Sequence, residues 1–169
     1  MIRRPPRSTL DRSSAASDVY KRQISASAHS AAMQFVKPGL NESDVEAYYM
    51  YEFAKRGGRY AAYNPIVAGG VNACVLHYNN NNCMLNDGDL ILVDAGCEFN
   101  MYASDITRTY PINGKFSKEQ LAVYEIVLAA QQASIDAVRP GNSVIEPQKV
   151  SEKIITQGLI DIGLSLIHI

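Results

Sequence analysis

No stretch of this sequence stays apolar for the roughly 20 residues that a membrane-spanning helix needs. The basic residues near the N-terminus are not followed by an apolar segment, so the pattern of a secretory signal peptide is also missing. The formal net charge of −1 gives no electrostatic reason to expect nucleic acid or a membrane surface as a partner. We therefore predict a protein that binds neither nucleic acid nor a membrane.

Cysteine is scarce, with three residues at Cys74, Cys83 and Cys97. Three is an odd number and no pair forms a CxxC motif, so we interpret all three as reduced thiols. Reduced thiols are typical of a cytosol-like compartment, which predicts a cytoplasmic location. The 169 residues, of which 47% are hydrophobic and 20% charged, are enough for one soluble domain with a core.

The two ends of the chain differ in composition from the middle. Residues 1–23 carry six Arg and Lys residues against two Asp, a balance of +4, and have almost no apolar side chains, which predicts disorder. This stretch resembles sequencing-adaptor DNA translated in frame, and residues 164–169 resemble adaptor read-through at the other end. We therefore treat both ends as adaptor-like and not native, and residues 24–163 as the folded part. The alternative is a natural basic tail and a short terminal strand.

Four helices are predicted, two before and two after a group of strands. Capping signals mark the second and third helices, where Asn41 precedes Asp44 and Ser117 precedes Gln120. The predicted helices cover residues 24–37, 41–56, 117–138 and 147–159, and the predicted strands cover 64–67, 73–77, 90–93 and 101–112. The first two helices should pack as an antiparallel pair, because the link between them is short. Grouped strands favour an α+β fold, an antiparallel sheet covered by helices.

Two aspartates stand out in the strand region. Asp94 follows Leu90–Val93, a strand apolar at every position and therefore predicted to be buried on both faces, where an unpaired charge is costly. If the next turn is centred on Phe99-Asn100, Asp105 lies directly opposite Asp94, with their Cβ atoms about 5 Å apart. Two like charges so placed repel each other unless a cation lies between them. The pair is therefore a candidate site for one or two hard divalent cations.

The same residues also allow a structural interpretation, in which one aspartate caps a turn and the other pairs with Arg108. His77 is a further candidate, because it follows an apolar run and precedes an Asn-rich loop, a position from which active-site groups often emerge. Its imidazole could bind a metal, move a proton or donate to a substrate carbonyl. A lone histidine of this kind is also common as a structural residue.

Four segments, in this order, carry a resemblance to a known family. They are Tyr63-Asn-Pro-Ile-Val-Ala-Gly-Gly, Val75-Leu-His-Tyr, Asp87-Gly-Asp-Leu-Ile-Leu-Val-Asp-Ala-Gly-Cys-Glu and Tyr102-Ala-Ser-Asp-Ile-Thr-Arg-Thr-Tyr-Pro. Together they resemble aminopeptidase P, the Xaa-Pro aminopeptidase branch of the pita-bread metallopeptidases, over essentially all of residues 24–163. The resemblance implies that residues 24–163 are a partial metallopeptidase catalytic domain with part of a pita-bread (creatinase/aminopeptidase) fold.

The resemblance also implies a site with two divalent metal ions, usually Mn²⁺, held by two Asp, one His and two Glu. Asp94 matches the aspartate that binds one metal, and Asp105 matches the aspartate that bridges both. His77 matches a substrate-side histidine that is not a ligand. The other ligands of the family lie beyond the end of this sequence, and its N-terminal domain is also absent. The chain alone is therefore expected to be inactive, and marginally stable or prone to aggregate.

In the complete enzyme, the implied reaction is attack by metal-activated water on the bond between an N-terminal residue and proline. His77 would stabilise the developing charge or move a proton. The implied partner is a peptide with proline at its second position, and a homo-oligomer of the full-length enzyme is compatible with the resemblance. A prolidase-type Xaa-Pro dipeptidase and a non-catalytic pita-bread binding module are the alternatives. The presence of both aspartates disfavours the binding module, and equally a creatinase-like hydrolysis without metal.

Overall fold

The structure is a computed structural model that describes residues 7–164, with side chains described from Ala16 onward. The adaptor-like assignments for residues 1–6 and 165–169 fall outside the described residues. The helices are α1 (Arg7–Phe35), α2 (Glu42–Lys55), α3 (Lys118–Ala137) and α4 (Glu146–Asp161). The strands are β1 (Tyr60–Ala61), β2 (Ile66–Gly69), β3 (Leu90–Asp94), β4 (Cys97–Phe99), β5 (Tyr102–Ala103) and β6 (Thr107–Pro111). None of the described helices is both long and apolar enough to cross a membrane.

The chain divides after Lys115 into two compact units. In the first unit, α1 and α2 pack against each other as an antiparallel pair, as predicted. Two contacts show that the helices run in opposite directions. Phe35, at the end of α1, stacks on Tyr48 of α2 at 4.1 Å, whereas the hydroxyl of Tyr20, earlier in α1, donates to the Arg56 carbonyl just after α2 at 3.1 Å. The apolar side of this pair forms a core with the strands, and its fully buried members include Ala28, Ala32, Val45, Tyr49, Phe53, Val67, Ile91 and Val93.

The predicted helix caps are confirmed for α2 and α3. Asn41 accepts from the Ser43 amide, and the Asp44 carboxylate accepts from the Asn41 amide at 2.8 Å. Ser117 and Gln120 make the same reciprocal pair at the start of α3. These caps depend on residues two or three positions apart, so the local sequence is sufficient to place them.

Helix α1 extends further toward the N-terminus than the sequence predicts. Residues 7–23 belong to this helix, where disorder was the expectation. Lys21 is buried, pairs with Asp18 at 2.9 Å and donates to the Ala103 carbonyl, and the Tyr20 ring packs on Phe99 at 4.7 Å. Polar contacts and one aromatic contact therefore hold a segment that has few apolar side chains. The adaptor origin of residues 1–23 and 164–169 stays a prediction.

Two antiparallel three-stranded sheets form the centre of the first unit, with orders β2-β3-β6 and β1-β4-β5. Ile91 and Val93 of β3 are fully buried, whereas Leu90 and Leu92 are half-buried. The prediction that both faces of this strand are buried was therefore right for one face and only partly right for the other. The predicted strand at 73–77 was wrong. Residues Gly70–Cys74 form a 3-10 helix, and His77 adopts a left-handed conformation with φ 54° that no regular strand uses.

The predicted register of the hairpin that follows β3 was wrong by two residues. Asp94 lies opposite Thr107 and not opposite Asp105, and Phe99 lies opposite Tyr102. The turn is centred on Asn100-Met101, which both have positive φ (50° and 68°), the conformation of a tight two-residue hairpin turn. The expected turn at Phe99-Asn100 therefore lies one residue too early.

The second unit is a helical hairpin of α3 and α4. Gly158 of α4 lies against Ile126 of α3, where a Cβ atom would come within 2.7 Å of the isoleucine side chain. The Ser134 hydroxyl donates to the Pro147 carbonyl at 2.9 Å. Together the two units confirm the predicted α+β class.

Candidate metal centre

Asp94 and Asp105 lie at the end of the β3–β6 pairing that is nearest the hairpin turn. Asp94 is the last residue of β3 and pairs with Thr107 of β6. Asp105 lies two residues before Thr107. In an antiparallel ladder a residue and the diagonal neighbour two positions from its partner project from the same face. The two carboxylates therefore share a face although the predicted direct pairing was wrong.

Gly96 makes this arrangement possible. The ladder continues past Asp94 through the Ala95 amide, which donates to the Ile106 carbonyl at 3.1 Å, and the Ser104 amide, which donates to the Cys97 carbonyl at 3.0 Å. A Cβ atom at Gly96 would overlap the carbonyl oxygen of Ser104. The close approach of the two strands beside Asp105 therefore requires glycine.

Tyr63 joins the two carboxylates. Its hydroxyl lies 2.5 Å from Oδ1 of Asp94 and 3.1 Å from Oδ1 of Asp105. Burial, followed by the hydrogen bond to Asp94 and the charges of both aspartates, raises the pKa of Tyr63 well above its usual value. The phenol therefore keeps its proton and donates it to the carboxylate pair.

A polar cavity of about 390 Å³ opens in front of these residues. Its lining brings together all three residues singled out from the sequence, and consists of Tyr63, Asn64, Ile66, His77, Asn79, Asp94 and Asp105. His77 reaches it from the irregular segment after the 3-10 helix and is exposed to solvent. A larger cavity of about 520 Å³ lies between α3 and α4, and its lining combines alanine and isoleucine side chains with Glu125, Gln157 and Asp161 but contains no histidine.

The donor set fits part of a site for hard divalent cations. Asp94 is half-buried and Asp105 exposed to the cavity, and both offer carboxylate oxygens, the ligand type that such cations prefer. Across residues 7–164, no group of three or more His, Cys, Asp or Glu side chains is arranged to hold a metal ion. The two aspartates are thus two ligands on one edge of the cavity, and further ligands would have to approach from the other side.

Two contributors to the site were missed in the sequence. The sequence indicates Tyr63 only as part of a motif, and the one local signal is its place directly before Asn64-Pro65, ahead of β2. His29 was given no role, yet its buried ring connects α1 and α2 to the end of β3. Nε2 donates to the Ala95 carbonyl at 3.0 Å, and Nδ1 accepts from the Tyr49 hydroxyl at 2.9 Å. The role of His29 depends on contacts between residues far apart in the sequence, so the local sequence does not indicate it.

Comparison with known proteins gives a consistent result. The sequence profile described as "Metallopeptidase family M24" matches residues 21–168. The chain is 51% identical over 142 residues to the Xaa-Pro aminopeptidase of Haemophilus influenzae, an alignment that covers 84% of this chain and 33% of that protein. The chain thus spans about a third of the length of the curated relatives that it matches.

Solved structures agree with this similarity. The Pseudomonas aeruginosa aminopeptidase PepP superimposes with a TM-score of 0.87 at 49% identity, over 89% of this chain and 34% of the other. The zinc-substituted Escherichia coli aminopeptidase P in complex with product gives a TM-score of 0.86 at 43% identity, with the same coverage. The described fold is therefore part of the aminopeptidase P fold, as the sequence resemblance implied.

Proposed function

This chain belongs to metallopeptidase family M24, and on that basis we propose that it is part of an aminopeptidase that releases the N-terminal residue from Xaa-Pro peptides. The observation that carries the proposal is the meeting of Asp94, Asp105 and His77 at one polar cavity, with the Tyr63 hydroxyl between the carboxylates. The relatives named as Xaa-Pro aminopeptidases support the same substrate class. The substrate would be a peptide with proline at its second position.

Asp94 and Asp105 would hold two divalent metal ions, for which we propose Mn²⁺, together with ligands from outside this chain. Bound metal supplies a Lewis acid that lowers the pKa of a water molecule and so provides a hydroxide at neutral pH. Tyr63 would orient both carboxylates by donating its single proton to the pair, since its raised pKa keeps the phenol protonated. Residues of this kind, behind the ligands, commonly affect metal affinity or activity by about 10–100-fold.

His77 would act on the substrate side of the cavity. Its ring is exposed and lines the same cavity as both carboxylates, so it can reach a bound peptide without itself binding metal. We propose that it donates a hydrogen bond to the scissile carbonyl oxygen, or moves a proton, as negative charge develops there. The chain would supply two of the ligands and one catalytic residue, and the rest of a complete enzyme the others.

A chimera tests this function. Residues 24–163 would replace the matching segment of the Haemophilus influenzae enzyme, which is similar enough to receive them. We expect the folded chimera to hydrolyse Xaa-Pro peptides in the presence of Mn²⁺. Asp94→Asn or Asp105→Asn should lower the rate by more than about 100-fold, since loss of a ligand exceeds loss of its supporting contacts. His77→Ala should lower kcat more than it raises KM.

Asp87→Asn serves as the matched control, because Asp87 lies in an exposed turn and bonds to Asn113 on the surface. A folded chimera without Xaa-Pro hydrolysis would overturn the proposal, provided that the unmodified enzyme is active in the same assay. Hydrolysis limited to Xaa-Pro dipeptides would favour the prolidase alternative. Full activity in both aspartate variants would remove the carboxylates from the mechanism.

A further inference from the structure

Glu42, the first residue of α2, has a completely buried carboxylate. Oε1 accepts hydrogen bonds from the Gly69 amide at 2.8 Å and from the Asn72 side chain at 2.9 Å. Oε2 accepts from the Tyr78 hydroxyl at 2.8 Å and from the Cys83 amide at 2.9 Å. Four donors therefore surround one carboxylate, an arrangement that offsets the high cost of burying a charge.

The four donors come from one continuous stretch of chain, residues 69–83, which we call the histidine loop. Gly69 lies at its start, Asn72 in the 3-10 helix, Tyr78 directly after His77, and Cys83 at its end. The Glu42 amide also donates to the Cys83 carbonyl at 2.9 Å, so backbone and side chain hold the same point. One residue of α2 thus holds both ends and the middle of the loop.

Tyr78 is the buried aromatic side chain of this loop, whereas its larger aliphatic side chains contribute little burial. Val71 and Leu76 are 85% and 86% exposed, and Val75 is exposed as well. His77 has φ 54°, a left-handed conformation that costs a non-glycine residue free energy and persists only when surrounding contacts enforce it. Apart from Glu42, the buried Asn81 is the main anchor. It accepts from the Val67 amide at 3.0 Å and donates to the Pro65 carbonyl at 2.8 Å.

The charge of Glu42 is retained under these conditions. Burial by itself would raise the pKa of the carboxyl, but the hydrogen bonds from Gly69, Asn72, Cys83 and Tyr78 outweigh burial and hold the pKa below its usual value. The position at the N-terminus of α2 also favours a negative charge. At neutral pH the loop is therefore attached to an ionised acceptor.

We propose that Glu42 is a positioning residue, whose carboxylate fixes the histidine loop and thereby places the His77 ring at the cavity that Asp94 and Asp105 line. The significance of this placement for catalysis rests on the proposed function of His77. Glu42 touches neither the cavity lining nor the carboxylate pair among the described contacts, so it acts through the loop.

The test uses the 169-residue chain with isotope-labelled histidine and cysteine, observed by NMR without metal or substrate. All samples carry Val127→Lys at an exposed position of α3, to limit self-association. His77→Gln assigns the His77 ring signals. In Glu42→Gln, the new amide NH₂ group faces two of the four donors, whichever oxygen it replaces, and the negative charge is lost. We expect the His77 ring signals to shift and to gain the relaxation of a mobile side chain. Amide exchange at Cys83 should accelerate by about tenfold or more, the effect of losing one hydrogen bond to a charged acceptor.

Glu52→Gln is the matched control, because Glu52 is an equally buried carboxylate of the same helix that pairs with Lys55 and Arg56 and not with the loop. It should lower stability to denaturant and leave the His77 signals unchanged. Tyr78→Phe removes a single bond to Glu42, and it decides the question if Glu42→Gln does not fold. We expect a smaller shift of the His77 signals in the same direction.

Unchanged His77 signals in a folded Glu42→Gln chain would overturn the proposal, as would equal changes in Glu52→Gln. If Glu42→Gln does not fold, unchanged His77 signals in Tyr78→Phe would have the same effect. These readouts need no hydrolysis, so they separate the two proposals. If the His77 signals respond to Glu42 but the chimera is insensitive to His77→Ala, positioning stands and the catalytic role of His77 fails.

Discussion

The phenol of Tyr63 carries one proton but lies within hydrogen-bond distance of two carboxylates. In the absence of metal, this proton is what separates the negative charges of Asp94 and Asp105. We predict that Tyr63→Phe lowers the free energy of unfolding by about 1 kcal/mol, a value reduced from that of a buried charged hydrogen bond because Asp105 is exposed. The measurement is the urea unfolding midpoint at neutral pH. Tyr60→Phe, at an exposed ring, is the control and should leave the midpoint unchanged.

His29 makes the stability of this chain depend on pH. Burial lowers the pKa of its imidazole below the usual 6.5, although the bond to the Ala95 carbonyl partly opposes this shift. In the unfolded chain the ring takes up a proton near that pH, while the folded ring stays neutral. The unfolded state then binds more protons, so stability should fall as the pH drops from about 7 to about 5.

Urea unfolding midpoints measured across that pH range test the prediction. His29→Gln should flatten the decline, and the exposed His77→Gln should preserve it. The window lies above the range in which Glu42 titrates, because the pKa of that carboxyl is held below its usual value and its contribution is lost only at lower pH. A decline that persists in His29→Gln would assign the effect to other groups.

Among the secondary-structure elements, the hairpin that carries the two aspartates depends on the absence of a side chain at Gly96. We predict that Gly96→Ala costs about 3 kcal/mol of unfolding free energy, because the new Cβ atom overlaps the backbone of Ser104 and neither strand can move without breaking the ladder. Gly114→Ala is the comparison. Gly114 has φ 77° but open space around a Cβ, so the cost should be about 1 kcal/mol. Equal losses in denaturant titrations would contradict this account.

The same hairpin shows how far the sequence could be interpreted. The predicted register was wrong because the turn uses Met101 in a left-handed conformation, which methionine rarely adopts. The shared face of Asp94 and Asp105 was nevertheless right, since a slip of two residues keeps side chains on the same side of a strand. The spacing of the two aspartates therefore predicted the face that they share, but not the residues that pair across the hairpin.

In other elements too, features that depend on neighbouring residues were predictable, and features that depend on residues far apart in the sequence were not. The caps of α2 and α3 are hydrogen bonds between residues two or three positions apart, and they were predictable. The strand expected at 73–77 is the end of a 3-10 helix followed by an irregular segment. Glu42, more than 25 residues earlier, accepts hydrogen bonds from the residues on either side of it, and this long-range contact is not visible in the local sequence. The apolar residues Val75 and Leu76 resemble a strand in sequence, but no partner strand pairs with them in the described sheets.

At the scale of the whole molecule, the helical hairpin of α3 and α4 exposes much apolar surface. The large apolar residues exposed in this unit are Leu121, Val123, Val127, Leu128, Ile135, Val138, Val144, Ile145, Ile160, Ile162 and Leu164. So many exposed apolar side chains in one helical hairpin favour association with another surface or aggregation. We predict that the isolated chain self-associates at micromolar concentration, which sedimentation velocity over a dilution series would detect.

A pair of valines provides the control. Val127→Lys places a charge within the apolar surface and should shift the distribution toward monomer. Val19→Lys changes a valine of similar exposure on α1, 53% against 50%, and should have little effect. Monomeric behaviour of the unmodified chain at all concentrations would contradict the prediction.

The turn at Asn100-Met101 has a practical consequence for engineering. Five residue pairs between β3 and β6, from Leu90↔Pro111 to Asp94↔Thr107, fix the register below the tip. Extra residues inserted between Asn100 and Met101 leave those pairs, and hence the relative placement of Asp94 and Asp105, unaltered. Met101 is 94% exposed, so an inserted segment would meet solvent. The tip can therefore accept a fluorescent reporter or an affinity tag. A single residue inserted between Asp94 and Cys97 would instead shift the register by one and exchange the faces to which the following side chains point.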